Sequence, residues 1–413
     1  MFRNHKTLSR VLGLVLALAL LAACGSPATP APAPAAPAAD GNAPAGDAGD
    51  VAPIGEEIVI GLLAPLTGGV AQFGIAVQQG AMLYIDRFNA QGGTQIRVIA
   101  YDEEGDPANA IVGYNHLHDQ GVTAILGSVT SGPTIAVVPL AYEDGMPMIT
   151  ATATQAGVTF DAANNRVWTN MFRSCFIDPF QGTKMAEFAV GELGAQTAAI
   201  LMNNDIDYSI GLTDAFVAKA AEIGLEIVAT EIFGNDTVDF LGQLTNIAAH
   251  NPDVLFIPAY YEDIALIGPQ SVAAGLDTVM LGADGWAGTT DLMDDASSIE
   301  GSFYLTGFTV ESTDAHVQEF IAAFEAAYGV APNMFAAQAY DAAAILIAAL
   351  EAALAEGLTP ATDEFKASVI GHMAATNITG VTGYIYFDEF NNPQKTAFII
   401  EIRDGASRFW GTF

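Results

Sequence analysis

From Glu57 onward, short β-branched runs alternate with stretches whose apolar residues recur at helical spacing. Ile58-Val59-Ile60-Gly61-Leu62-Leu63 reads as a buried strand. Val77, Ala81, Tyr84, Ile85 and Phe88 then share one helical face, and Gly92-Gly93 stops that helix. Ile96 to Tyr101 gives a second strand before a helix from near Pro107. Thr123 to Gly127 gives a third, followed by a helix through Tyr142, and Met148-Ile149 opens a fourth. The rhythm returns in a second block. Thr197 to Met202, Leu225 to Ile232, Val254 to Ile257 and Val279 to Leu281 read as strands, with helices beginning near Tyr208, Val238, Tyr261 and Thr289. Such alternation predicts parallel sheets covered on both faces. Two blocks predict two doubly wound α/β lobes, with a ligand cleft where the carboxyl ends of their strands face each other. The apolar stretch from Met334 to about Ala355 contains Gln338, Asp341 and Glu351, which marks a core helix rather than a membrane span. Near the end, Tyr384 to Phe387, a turn at Asn391-Asn392-Pro393, and Ala397 to Ile402 predict a hairpin.

The first 23 residues have a different pattern. Arg3, Lys6 and Arg10 precede an apolar run from Val11 to Ala23, which is too short to span a bilayer but has the length of a signal-peptide core. Leu21-Ala22-Ala23-Cys24-Gly25 resembles the bacterial lipobox, so Cys24 is the expected site of lipid attachment. Residues 24–55 are rich in Ala, Pro, Gly and Asp and have almost no bulky apolar side chain before Val51. Such a segment cannot bury enough surface to offset the entropy of ordering, and reads as a tether.

The remaining ~355 residues exceed one ordinary core, in keeping with two lobes. Charge narrows the partners: 13 basic residues against 47 acidic give −34, a surface that repels nucleic acid and anionic headgroups. Cys175 is the only cysteine besides Cys24 and is expected to be a small buried apolar residue. No phosphate-cradling glycine loop, dinucleotide fingerprint, nucleophile elbow or metal-spaced histidine pair is present, so catalysis, cofactors and metals are not expected. Asp102, Glu104 and Asp106 faintly suggest a calcium loop, but without the later glutamate they read as a solvated strand-to-helix turn.

Several segments together mark a family. They are Ala64-Pro65-Leu66-Thr67-Gly68 with Gln72-Phe73-Gly74, then Gly127-Ser128-Val129-Thr130-Ser131-Gly132, and Tyr142-Glu143-Asp144-Gly145 with Pro147. Thr150-Ala151-Thr152-Ala153-Thr154 and Gly380-Val381-Thr382-Gly383 before Phe387-Asp388 complete the set. In this order the chain resembles the leucine/isoleucine/valine-binding periplasmic family, the type I solute receptors of branched-chain amino acid ABC transporters. The resemblance implies that Ser131, Thr152 and Thr154 hold a ligand carboxylate, and that Asp284 holds its ammonium. Phe73, Tyr208, Tyr260 and Trp286 are implied walls. Ser209 stands where the family usually has glycine. The sequence agrees on one point independently: Ser131-Gly132-Pro133 opens a helix, with serine as the expected cap, and a helix N-terminus favours an anion. Tyr260 and Tyr261 cannot both point inward along an extended segment.

The expected organisation is a first lobe of residues 57–174 and 309–382 and a second of 175–308 and 383–413, joined by three crossings. The expected function is an exported, lipid-anchored, monomeric receptor that closes on an amino acid, of branched-chain type first, and delivers it to a membrane permease. A same-fold receptor for urea, a short amide or an aromatic acid is the alternative, and a sensor module or surface hydrolase fits less well. A purely anionic ligand would leave Asp284 as an unpaired opposing charge.

Overall fold

The computed structural model describes residues 57–413. Cys24, the signal sequence and the tether therefore lie outside the described residues. The first block runs β1 (Glu57–Ala64), α1 (Ala71–Asn89), β2 (Gln95–Asp102), α2 (Pro107–Asp119), β3 (Ile125–Gly127), α3 (Ser131–Glu143) and β4 (Met148–Thr150). A small ladder, β5 (Phe160–Asp161) with β6 (Arg166–Val167), precedes β7 (Met171–Arg173). The main strands form one parallel sheet in the order β2-β1-β3-β4-β7. β1 is buried along nearly its whole length, as its unbroken apolar run requires.

The second block runs α4 (Asp178–Gly191), β8 (Thr197–Asn203), α5 (Asp207–Ile223), β9 (Glu226–Phe233), α6 (Leu241–Ala248), β10 (Val254–Phe256) and α7 (Tyr261–Ala273). β11 (Val279–Gly282), α8 (Thr289–Leu292) and β12 (Phe303–Thr306) follow. The chain then gives α9 (Ala315–Tyr328), α10 (Met334–Ala355), α11 (Asp363–Ala374), β13 (Asn377–Gly380), β14 (Gly383–Tyr386), β15 (Phe398–Arg403) and β16 (Ala406–Thr412). The second sheet has the order β16-β15-β12-β11-β10-β8-β9, parallel from β9 to β12 and antiparallel beyond.

Each sheet winds outward from an inner strand, β1 in the first and β8 in the second. The crevices therefore open beside β1 and β3, and beside β8 and β10, where the connections leave the strands on opposite faces. α10 packs on α1 so closely that a β-carbon on Gly80 would fall 2.0 Å from the carbonyl oxygen of Ala336. Most of α10 is buried in the core, so its apolar character serves packing.

The expected hairpin of Tyr384–Phe387 with Ala397–Ile402 does not form. β14 pairs with β13, while β15 pairs with β12 and β16. Asp341 on α10 fixes the first of these turns by accepting hydrogen bonds from the backbone of Val381 (2.7 Å) and Thr382 (2.9 Å). Asp404-Gly405, both at positive φ, makes the other turn. The expected lobe boundary at 382/383 would cut the β13–β14 hairpin. Beyond it, Asn391 donates to the carbonyls of Trp168 and Met171, and Phe387 packs on Phe172. We therefore draw the third crossing after Asn392. Asp102 and Asp106 act locally: Asp102 accepts from Leu66, Thr67 and Glu104, and Asp106 caps α2 through the N–H of Asn109.

Candidate functional site

The two crevices face each other across a small cavity of about 10 Å³, the space of roughly one water. Phe73, Ser131, Thr152, Thr154, Tyr208, Tyr260 and Asp284 line it, so seven of the eight residues implied for the site converge. The eighth does not. Trp286 is buried beneath the site, where its indole N–H donates to the carbonyl of Ile257 at 2.8 Å. A β-carbon on Gly282 would fall 2.3 Å from the indole ring, so glycine there lets Trp286 lie flat as a floor.

The first-lobe wall is built on the start of α3. That helix begins at Ser131, with Thr130 in the cap position, one residue earlier than expected. Ser131 therefore does not cap its helix; its Oγ accepts from the N–H of Gln155 at 3.3 Å and still has a proton to donate. Thr152 is committed differently, donating its hydroxyl to the carbonyl of Val129 at 2.6 Å. It ties two loops together, and its hydroxyl proton is already used. The start of α3 lies at the cleft, with Ser131 lining the cavity, and the helix dipole there favours negative charge.

The second-lobe wall carries the opposite charge. Asp284 opens a short turn after β11 and is almost fully buried. One carboxylate oxygen accepts from Tyr208 Oη at 2.8 Å and from Gln181 Nε2 at 3.0 Å. Gln181 in turn accepts from the Asp284 backbone N–H at 3.0 Å. Burial pushes the Asp284 carboxyl up to about 6, against the pull of the Gln181 and Tyr208 hydrogen bonds. Behind it lies Asp178, at the start of α4, whose two carboxylate oxygens have no well-formed hydrogen-bond partner. Burial drives Asp178 far above the ordinary carboxylate range, opposed in part by the Thr154 hydroxyl. Thr154 thus faces a carboxyl as well as the cavity.

Aromatic rings close the remainder. Tyr208 stacks on Tyr260 at 4.8 Å, and Phe73 meets Tyr260 edge-on at 5.6 Å and Phe335 at 4.3 Å. Burial, with the charges of Asp178 and Asp284, raises the Tyr260 phenol far above its usual value, while the Ser131 backbone N–H opposes this. Tyr261, the first residue of α7, does not line the cavity, although its ring meets Phe73 at 4.7 Å. Its hydroxyl donates to the carbonyl of Gly69 at 2.8 Å and bridges the two lobes outside the cavity. Serine at 209 does not disturb α5, since its Oγ accepts the N–H of Asn203 at 3.0 Å and secures the turn from β8.

Thr130, Asp178, Gln181 and Phe335 were not legible as site residues. Gln181 lies within a helix and Phe335 in the first turn of the most apolar one, where each reads as ordinary patterning. Cys175 is fully buried, and burial pushes its thiol up to about 12, which keeps it unreactive. Among the described residues no group of three His, Cys, Asp or Glu side chains is placed to hold a metal ion.

The profile of the periplasmic binding protein family matches residues 57–406. The Leu/Ile/Val-binding protein of Rhizobium johnstonii is 28% identical over 300 residues, 72% of this chain and 80% of the relative. The branched-chain amino acid transporter substrate-binding protein LivJ of Streptococcus pneumoniae, crystallised with isoleucine, is 29% identical with a TM-score of 0.77. The match covers 87% of this chain and 99% of that one. A solute-binding protein of Rhodopseudomonas palustris in complex with benzoate shares the fold, with a TM-score of 0.77 at 23% identity. That match covers 86% of this chain and 96% of the other.

Proposed function

The chain belongs to the periplasmic binding protein family, exported receptors that bind solutes for ABC transporters, and from that premise we propose that its own solute is an amino acid. Two lobes close around the zwitterion, and the closed form delivers it to a membrane permease. The observation that carries this reading is the opposition of charge across one cavity. The start of α3, with Ser131, offers hydrogen-bond donors to a carboxylate, and the buried Asp284 offers an acceptor to an ammonium. A ligand that joins both walls stabilises the closed arrangement over the open one, which is what couples binding to hinge motion. Relatives named for leucine, isoleucine and valine support the amino acid class. A purely anionic ligand such as benzoate would sit against Asp284 without a counter-charge. Cys24, in the lipobox-like segment, is the proposed point of lipid attachment to the membrane, and a monomer suits a tethered shuttle.

The test is a thermal-shift screen of the purified protein against amino acids, small amides, urea and aromatic acids. A ligand at a hundred times its Kd adds about 2.7 kcal/mol, a rise of roughly 4 degrees for a body this size. A rise with leucine, isoleucine, valine or another zwitterion supports the proposal. A response confined to neutral or acidic compounds retires Asp284 as the ammonium site.

A further inference from the structure

We propose that Thr130 reads a polar group on the ligand's side chain, so that this receptor selects an amino acid with a hydrogen-bonding side chain over its apolar isostere. The inference rests on the amino acid reading above. Thr130 occupies the cap position of α3 with extended backbone (φ −94°, ψ 158°). A threonine there ordinarily turns its hydroxyl to an N–H of the first helical turn. Here it makes no such bond. The residue is 6% exposed, and its Oγ has no partner at all. Neighbouring hydroxyls each have a partner: Thr134 donates to the carbonyl of Thr130, Thr152 donates to Val129, and Ser131 accepts from Gln155 and keeps its proton for a ligand. A buried hydroxyl without a partner is unfavourable, so a position that keeps one is set up to gain a partner.

The location says which part of a ligand supplies that partner. Thr130 and Tyr260 line both the inner cavity and a second, outer chamber of about 530 Å³ between the lobes. Ser131 and Asp284 line the inner cavity and not the outer chamber. A side chain that leaves the inner cavity must pass Thr130 and Tyr260 to reach the outer chamber. Glu104 from the first lobe meets Asp205, Asp207, Asp236, Glu262 and Asp263 from the second there, and no Lys, Arg or His lies among the described residues lining it. An aliphatic side chain on that path leaves Thr130 unpaired and gains little apolar contact from the acidic wall. A side chain with a hydroxyl, amide or amine pairs Thr130 at the threshold and finds acceptors beyond it. The polarity of this threshold is a selective element that acts through unpaired groups as much as through attraction.

Isothermal titration of the full-length protein and its Thr130→Val variant with two isosteric pairs, valine against threonine and leucine against asparagine, tests this. The wild type is expected to bind the polar member of at least one pair at least tenfold more tightly, and Thr130→Val to erase that preference. Without ligand the variant is expected to melt no lower than wild type, because no helix cap is lost. If valine and leucine bind better than their polar isosteres, this inference fails while the amino acid reading stands. If Thr130→Val weakens both members of a pair equally, or lowers the unliganded melting temperature with selectivity unchanged, Thr130 has another role and the inference is overturned. If none of the four binds, this inference is overturned, while the amino acid reading stands or falls separately on the thermal-shift screen against the remaining amino acids.

Discussion

Replacing Asp284 by asparagine removes one charge and almost no volume. The asparagine Oδ1 can still accept from Tyr208 and Gln181, so the turn after β11 keeps its hydrogen bonds. Two effects of opposite sign follow. Without ligand, the wild-type carboxyl is held at about 6 by burial, against 3.8 in an ordinary environment. Between those values the folded protein binds more protons than the unfolded chain, so stability falls as pH rises through that window and remains lower above it. Asparagine does not titrate, so at pH 8 the unliganded variant should gain up to about 3 kcal/mol. That gain corresponds to roughly 4 degrees. With ligand the sign reverses. A buried ammonium that loses its partner charge costs about 2–5 kcal/mol, a loss of affinity of roughly 30-fold to several thousand-fold. Wild-type affinity should also rise with pH through about 6, as the carboxyl ionises, and the variant should show no such rise. Melting curves and isothermal titration of both proteins at pH 5 and pH 8, with the amino acid that most stabilises wild type, measure all of this. Unchanged affinity in Asp284→Asn at pH 8 would refute the ammonium site whatever the melting curves show.

Three further expectations concern the framework. Trp286→Phe should lower stability by about 0.5–1.5 kcal/mol, since it removes the indole hydrogen bond to the carbonyl of Ile257, which still accepts from the N–H of Ala259, and should leave ligand affinity within a few-fold; a large affinity loss by titration would return Trp286 to the pocket wall. Gly80→Ala should cost at least about 1–3 kcal/mol in a denaturant titration, because its β-carbon meets the backbone of Ala336 and forces α1 from α10. Glu103, fully buried and bonded to Ser128 and to the N–H of Gly105, is held at about 7 chiefly by burial. Its contribution to stability should therefore decline from about pH 4.5 to 7, and Glu103→Gln should flatten that part of the denaturation profile measured between pH 5 and 8.

Much of the fold was legible because its signals are local. The apolar run of β1, the bounds of α10 from Met334 to Ala355, and the starts of α7 at Tyr261 and α8 at Thr289 all match the pattern. Helical period and strand composition are properties of a few consecutive residues, and burial enforces them directly. The crevices were legible in the same way, since alternation alone places ligand loops at strand carboxyl ends. The C-terminal pairing was not. Tyr384–Tyr386 and Phe398–Arg403 have compatible patterns, yet β15 takes β12, about a hundred residues earlier, as its neighbour. Asp341, forty residues upstream, fixes the turn that sends β14 to β13.

The site divides along the same line. Sequence alone determined the residue types: the serine and threonine loops after β3 and β4 and an aspartate after β11, which suit the two ends of the proposed zwitterion. The tertiary structure decided which of these groups are still free. It spent the Thr152 hydroxyl on Val129, buried Trp286 as a floor, joined Gln181 and Tyr208 to Asp284 across 103 and 76 residues, and left Thr130 without a partner. A side chain's type follows from its own position in the chain, but its unspent hydrogen-bonding capacity depends on every neighbour that folding brings to it, and most of those neighbours are distant in sequence.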